Sequence, residues 1–183
     1  INWLEQVVTQ FRSDQSVFFY SISLFDYTLS DNPTSDLHLT MIGSLYLASM
    51  FLEIFPTSMR DILAVTSYKY SARQICQKSY EIFQNLDYNV YFSSHVMYIN
   101  ILCKYISETY NSELDKSSLL KILMVAIRNY QYTDYDKLTI CLAAINLLYD
   151  INDFPDILGC SGFTSNSRIR HLNNATLFFK STA

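Results

Sequence analysis

An all-α fold, five helices followed by five more, is predicted by three observations. Glycine and proline occur three times each in 183 residues, too few to punctuate the many turns of a sandwich or barrel. Half of the residues are hydrophobic, and they recur at three- and four-residue spacing. The few breakers and capping residues fall between those apolar runs. A disordered chain would be poorer in aromatics than the 15% here and richer in charge than the 16%. A chain of this length buries about 70% of its unfolded surface, enough for one good core or two small ones.

Each element has a local reason. Trp3, Leu4, Val7, Val8 and Phe11 recur at helical spacing and predict an amphipathic helix over 1–13. Asp14 is placed to cap the next helix, whose stripe is Phe18, Ile22, Phe25 and Leu29. Asp31-Asn32-Pro33 breaks it. Thr34 to Phe55 then predicts a long helix, apolar on nearly every side beyond His38, as a buried central helix must be. Phe55-Pro56 ends it. Ser58 with Asp61, and Ser71 with Gln74, have capping-box spacing for helices to about Thr66 and from about Ala72 to Leu86. Asp87-Tyr88-Asn89 closes the first half.

The second half repeats this plan. Ser94 is placed to cap a helix through Ile106. Ser112 with Asp115 opens one to about Arg128, and Thr133 with Asp136 opens one to about Tyr149. A short piece around Asp156-Ile157-Leu158 follows. A last helix is expected from about Ser167 to Lys180. Leu47-Ala48-Ser49-Met50-Phe51-Leu52 is echoed by Leu142-Ala143-Ala144-Ile145-Asn146-Leu147. Phe55-Pro56 with Asp61-Ile62-Leu63 is echoed by Phe154-Pro155-Asp156-Ile157-Leu158. The echoes lie about 95–100 positions apart and suggest an internal repeat.

Charge and motifs exclude several functions. The net charge is −4 and the densest basic patch is Arg168-Ile169-Arg170-His171, so no basic stripe for nucleic acid is expected. The longest apolar stretch, Met41 to Phe55, is shorter than the ~20 residues needed to span a bilayer and carries Glu53. No basic-plus-apolar leader stands at the start, Ile1-Asn2-Trp3. Cys76, Cys103, Cys141 and Cys160 form no metal-ligand or disulfide pattern. Isolated in apolar runs, they read as small buried hydrophobes of a reducing, intracellular compartment. His38, His95 and His171 lack partners at ligand spacing, so no metal and no cofactor is expected. Asp134 and Asp136 read as cap residues rather than a paired-carboxylate site. No nucleophile elbow or phosphate loop occurs. Asn174-Ala175-Thr176 is a glycosylation sequon of a kind that chance often supplies. The 15 tyrosines suit semi-exposed surfaces, although a compositional bias of the source would look the same.

In ordered landmarks the sequence resembles the cyclins. Ile1-Asn2-Trp3-Leu4 stands where the family has a Val-Asp-Trp-Leu-like segment. Leu47-Ala48-Ser49-Met50-Phe51-Leu52-Glu53-Ile54-Phe55-Pro56 is similar to Leu-Ala-Ser-Lys-Phe-Glu-Glu-Ile-x-Pro at the end of the family's third helix. Leu86-Asp87-Tyr88-Asn89-Val90 matches its Leu-x-Phe-x-Leu in character. The resemblance covers about 1–92; beyond that it rests on helix count and the repeat. It implies two consecutive five-helix cyclin boxes, 1–92 and 93–183, and a regulatory, non-catalytic protein of the nucleus, cytoplasm or both. Its implied partner is a cyclin-dependent-type Ser/Thr kinase, whose mobile helix and activation segment such a surface holds in the active arrangement.

The resemblance also assigns residues. The kinase-facing surface would comprise Met50, Phe51, Glu53, Ile54, Ser79, Phe83, Tyr88 and Val90. The family anchors its kinase with a lysine and a glutamate; Met50 and Ser79 occupy those two positions, so a less ionic interface is expected. Aromatic and aliphatic anchors remain, as a protein interface needs. A substrate-docking patch for a peptide or inhibitor would comprise Trp3, Gln6, Leu37 and His38. The family often has glutamate where Gln6 stands, and its loss counts against basic-hydrophobic peptides. Trp3 is otherwise a packing anchor. The alternative function is a cyclin-fold scaffold, or an adaptor like transcription factor IIB, that binds a non-kinase protein.

Overall fold

A computed structural model describes residues 1–31, 36–91, 93–129, 135–160, 170, 172–177 and 179. They divide into two compact units, Ile1–Ser94 and His95–Ala183. All regular structure among the described residues is helical.

The first unit contains α1 (Asn2–Phe11), α2 (Gln15–Asp31), α3 (Leu37–Leu52), α4 (Met59–Val65) and α5 (Ala72–Asn85). α3 packs against α2 and α5, and α2 also meets α1 and α5. From Thr40 to Ser49 only Tyr46 is not fully buried, which is the all-round apolar character read from the sequence. α2 is more central than its predicted stripe, because every residue from Val17 to Leu24 is buried. Ser21 is satisfied there by bonding back along the helix: its Oγ donates to the Val17 carbonyl at 2.6 Å. Tyr20 is also buried, and its hydroxyl donates to the Val90 carbonyl. Burial and the neighbouring Tyr91 push that phenol up to about 12.

The caps are local and mostly as expected. Asp14 Oδ1 accepts from Ser16 N at 2.7 Å ahead of α2. Ser58 caps α4, and Ser71 with Gln74 forms a full capping box on α5. The predicted start of α3 at Thr34 lies outside the described residues; within them, Asp36 is its N-cap and accepts from Leu39 N at 2.9 Å. Its end differs from expectation. Glu53 is already extended, with φ −105° and ψ 138°, so Glu53, Ile54 and Phe55 stand outside the helix.

The second unit contains α6 (His95–Tyr110), α7 (Lys116–Ile127), α8 (Lys137–Leu148), a 3-10 turn at Ile151–Asp153 and α9 (Pro155–Cys160). Residues 172–177 are also helical; the rest of the expected Ser167–Lys180 helix is mostly outside the described residues. α8 packs against α6 and α7 and is buried from Thr139 to Ile145. Asp115 caps α7, accepting from Ser117 N and Ser118 N, and Asp136 caps α8, accepting from Thr139 N. Asp136 was expected at a cap and is the cap residue itself, whereas Asp115 was expected one turn inside the helix, as the partner of Ser112. A carboxylate is as good an N-cap as a hydroxyl and also meets the positive helix end. Thr133 and Asp134 lie outside the described residues.

Scarce glycine has a visible cost. Arg12, Ser67, Tyr68, Asp87, Tyr88 and Asn111 all have φ between 49° and 61°, a region that glycine enters freely and other residues enter with strain. α4 and α5 end alike: two successive left-handed residues let Tyr68 N donate to the Leu63 carbonyl at 2.8 Å and Tyr88 N to the Phe83 carbonyl at 3.0 Å.

Candidate functional site

The last turn of α3 and the C-terminal half of α5 form one aromatic surface. The two helices approach closely at Gly43. A methyl there would stand 3.0 Å from Lys78 Cγ and 3.3 Å from both Ile82 Cδ1 and Ser79 N. Ser79 Oγ donates to the Gly43 carbonyl at 3.1 Å and to the Ile75 carbonyl at 2.9 Å. Above this contact α3 emerges into solvent, and Met50, Phe51 and Leu52 are exposed. The Phe51 and Phe83 ring centroids are 5.8 Å apart, and Phe83 meets Tyr88 edge to face at 5.1 Å. Gln84 Nε2 donates to the hydroxyls of Tyr80 and Tyr88, each at 3.3 Å.

The connection after α3 is held by Ser49. Its hydroxyl donates to a Glu53 carboxylate oxygen and accepts from Thr57 N at 2.7 Å. The carboxylate is thereby turned back toward the helix, and Ile54 and Phe55 project at 91% and 90% exposure. Two adjacent apolar side chains this open make the connection a candidate docking surface.

Six of the eight residues assigned to this surface are therefore at it: Met50, Phe51, Glu53, Ile54, Phe83 and Tyr88. Ser79 and Val90 are not. Ser79 is 6% exposed and Val90 8%; one bonds α5 to α3, and the other lends its carbonyl to Tyr20. Leu52, Phe55, Tyr80 and Gln84 stand on the same surface and were not assigned to it. The signal for the last two was available within α5, because Tyr80 and Gln84 lie four residues apart and so stand side by side, whereas Tyr88 reaches Gln84 from beyond the helix end. Charge on this face is sparse. Lys78 Nζ donates to Glu81 at 2.6 Å, which holds that carboxyl below the usual range.

The second assigned patch lies at the other end of α3. Trp3 and His38 meet edge to face with centroids 5.0 Å apart. Both are half-buried, whereas Gln6, one turn along α1, and Leu37 are exposed. His38 Nδ1 is 3.3 Å from the Tyr70 hydroxyl, which itself donates to Asp36 Oδ1 at 3.0 Å. Lys69 Nζ sits 5.0 Å from the centre of the Tyr70 ring. The backbone amide of Leu39 is the main cause holding the Asp36 carboxyl below the usual range, helped by Tyr70 and Lys69. Burial, seconded by Lys69 and opposed by Asp36, pushes His38 down. Tyr70 was not singled out from the sequence, because it sits between helices with no periodic signal.

Of the cysteines expected to be buried hydrophobes, Cys141 is buried, Cys103 is half-buried and Cys76 is exposed on α5. His95 is buried, and burial with the nearby Lys137 pushes it down to about 4. Cys141 donates to the His95 carbonyl at 3.5 Å. Among the described residues, no group of three or more His, Cys, Asp or Glu is placed to hold a metal ion, and no helix is long and apolar enough to cross a membrane. His171 lies outside the described residues. Thr176 of the sequon is buried, bonded to the Leu172 carbonyl at 2.9 Å.

Comparison with known proteins bears on the family and the fold. Residues 1–91 match the family described as cyclin, N-terminal domain. The chain is 25% identical over 156 residues to G2/mitotic-specific cyclin-B1 of Oryzias javanicus, covering 84% of this chain and 38% of that protein. It is 27% identical over 151 residues to G2/mitotic-specific cyclin-B of Drosophila melanogaster, covering 80% and 28%. It is 31% identical over 91 residues to cyclin-B1 of Anguilla japonica, covering 49% and 23%. The chain thus spans well under half the length of these curated relatives. A viral cyclin from herpesvirus saimiri shares the fold with a TM-score of 0.70 and 13% identity, over 97% of this chain and 82% of that one. With its landmarks in order along 1–91, its helices arranged as in a solved cyclin and its relatives named as cyclins, the chain belongs to the cyclin family.

Proposed function

We propose that this protein is a regulatory, non-catalytic cyclin that binds and activates or positions a cyclin-dependent-type Ser/Thr kinase inside the cell, in cell-cycle or transcription control. The observation that carries this is the aromatic line Phe51–Phe83–Tyr88, half-buried at Phe83 and exposed at both ends, extended by the exposed Met50, Leu52, Ile54 and Phe55. A surface of aromatic and aliphatic anchors with few charges forms a stable contact when a partner removes it from water. Residues 1–92 form the N-terminal box in this reading and 93–183 a second box. The second assignment is supported by the burial of α8, which parallels that of α3. Trp3, Gln6, Leu37 and His38 would serve as a docking patch for apolar peptides. The function calls for no cofactor, nucleic acid or membrane.

The test is capture of kinases by the wild type and by Phe51→Ala plus Phe83→Ala, followed by phosphorylation of a generic Ser/Thr substrate. Loss of both kinase capture and activity in the double variant is expected. Undiminished capture would remove this surface from the proposal. A second reading, an adaptor for a non-kinase protein, is favoured by one observation. Where the resembling family places a charged pair, Met50 is apolar and Ser79 is turned into the α3–α5 contact. It predicts a co-purifying partner without kinase activity.

A further inference from the structure

Trp3 and His38 meet edge to face at the start of α3, and a line of hydrogen bonds stands behind them. The Tyr70 hydroxyl gives its proton to Asp36 Oδ1 at 3.0 Å. Its oxygen is then an acceptor toward His38 Nδ1, 3.3 Å away, so the neutral imidazole carries its hydrogen on Nδ1 and its lone pair on Nε2. The indole and imidazole are tilted 69° to each other, and Tyr70 closes the other side of the imidazole at 5.6 Å. Three segments distant in sequence converge on one titratable ring: α1 through Trp3, the α4–α5 connection through Lys69 and Tyr70, and the head of α3 through Asp36 and Leu37.

We propose that His38 is a proton-operated latch on this patch: neutral, it lies against Trp3 and is held by Tyr70; protonated, it swings out and uncovers the indole. The proton comes from solvent and adds to Nε2. No covalent bond is broken; the Nδ1–H bond to Tyr70 is exchanged for water. A full charge then sits on a half-buried ring, and burying a charge is costly unless it is paired. The charged groups facing His38 do not pair it. Lys69 repels a second cation. Asp36 attracts the cation, but this is the weakest of the three influences on the ring, and its Oδ1 already accepts from both Leu39 N and the Tyr70 hydroxyl. Trp3, the contact from α1, carries no charge. The downward displacement of the His38 pKa, caused first by burial and then by Lys69, has the sign that such a latch requires. The latch goes beyond peptide docking and stands on its own geometry, whatever ligand the uncovered indole meets.

Trp3 is the only tryptophan in the chain, so its emission reads this contact directly. The experiment follows acrylamide quenching of Trp3 in the full chain from pH 7.5 to 5, with far-UV circular dichroism in parallel. Quenching is expected to rise about two-fold with a midpoint below about 6.5, while dichroism stays constant. His38→Gln, which keeps hydrogen-bonding capacity but does not titrate, should abolish the transition. Tyr70→Phe should leave Trp3 already accessible at pH 7.5. The latch is overturned by a flat wild-type profile, by quenching that falls on acidification as a tightened cation–π contact would produce, by the same transition in His38→Gln, or by a dichroism change that tracks the quenching.

Discussion

α3 and α8 are built on one plan and end differently. Each is capped by an aspartate that accepts from the amide three residues on, Asp36 from Leu39 and Asp136 from Thr139. Each is buried on nearly every side, and each stops at an extended residue, Glu53 or Tyr149, whose amide bonds back one turn. α3 has 16 residues and α8 has 12, a difference of about one turn. That extra turn of α3 carries Met50, Phe51 and Leu52 into solvent. Beyond it the chain projects Ile54 and Phe55. Beyond α8 the chain instead folds back: Asn146 accepts from Ile151 N at 3.2 Å, Tyr149 accepts from Asp115 N at 2.7 Å, and Ile151 and Phe154 are buried. A shared helix can thus be a core element in one unit and a presenting element in the other. Four residues and the direction of the exit make the difference.

The largest effects should be equal in the two helices. Ile42→Ala in α3 and Ile145→Ala in α8 each remove a fully buried side chain and should cost about 2–5 kcal/mol by denaturant titration. A much cheaper Ile145→Ala would show that α8 is not the central helix its burial makes it. Next comes an asymmetry. Burial holds His95 neutral in the second unit, with its pKa down at about 4. A depressed histidine contributes stability fully above its ordinary value near 6.5. That stability is lost as pH falls toward 4, by about 3 kcal/mol at most. Hydrogen exchange at pH 5 should therefore show α6 and α8 losing protection before α3, and His95→Gln should flatten the pH profile.

Gly43→Ala tests the close approach of α3 to α5. Helix propensity gains at most about 1 kcal/mol, but overpacking against Lys78, Ile82 and Ser79 costs about 1–3 kcal/mol, so net destabilisation is expected. Ala143 stands at the same distance from its cap as Gly43, and α8 already carries the methyl there. Asp136→Ala should cost about 1 kcal/mol in thermal unfolding, and Asp36→Ala somewhat more because Tyr70 also loses its acceptor. The smallest effect is at the exposed end: Phe55→Ala should change stability by less than about 0.5 kcal/mol, while weakening partner capture.

Features settled within one turn were legible in the sequence. Ser71 and Gln74 name each other three residues apart, and the box is there. All-round apolar residues placed α3 at the centre because no solvent face was left for them. The end of α3 was not legible, since Glu53-Ile54-Phe55 continues the apolar run and the nearest breaker is Pro56. What stops the helix is Ser49, which spends its hydroxyl on Glu53 and Thr57, a contact formed only once the chain has turned. The candidate surface was legible in its aromatic anchors and illegible at Ser79 and Val90, because position along a helix does not say which neighbour will cover it. In Ser79 that neighbour is the carbonyl of Gly43.

The left-handed helix ends have a practical consequence for engineering. Arg12, Ser67 and Tyr68 hold a backbone geometry that disfavours a Cβ by about 1–2 kcal/mol each. Glycine would release most of that strain, less its larger entropy in the unfolded chain. The chain therefore carries a reserve of thermal stability that three substitutions, none on the aromatic surface, could draw on. A melting temperature raised by a few degrees per site is the natural yield, and a more heat-tolerant version of this fold would keep its present interfaces.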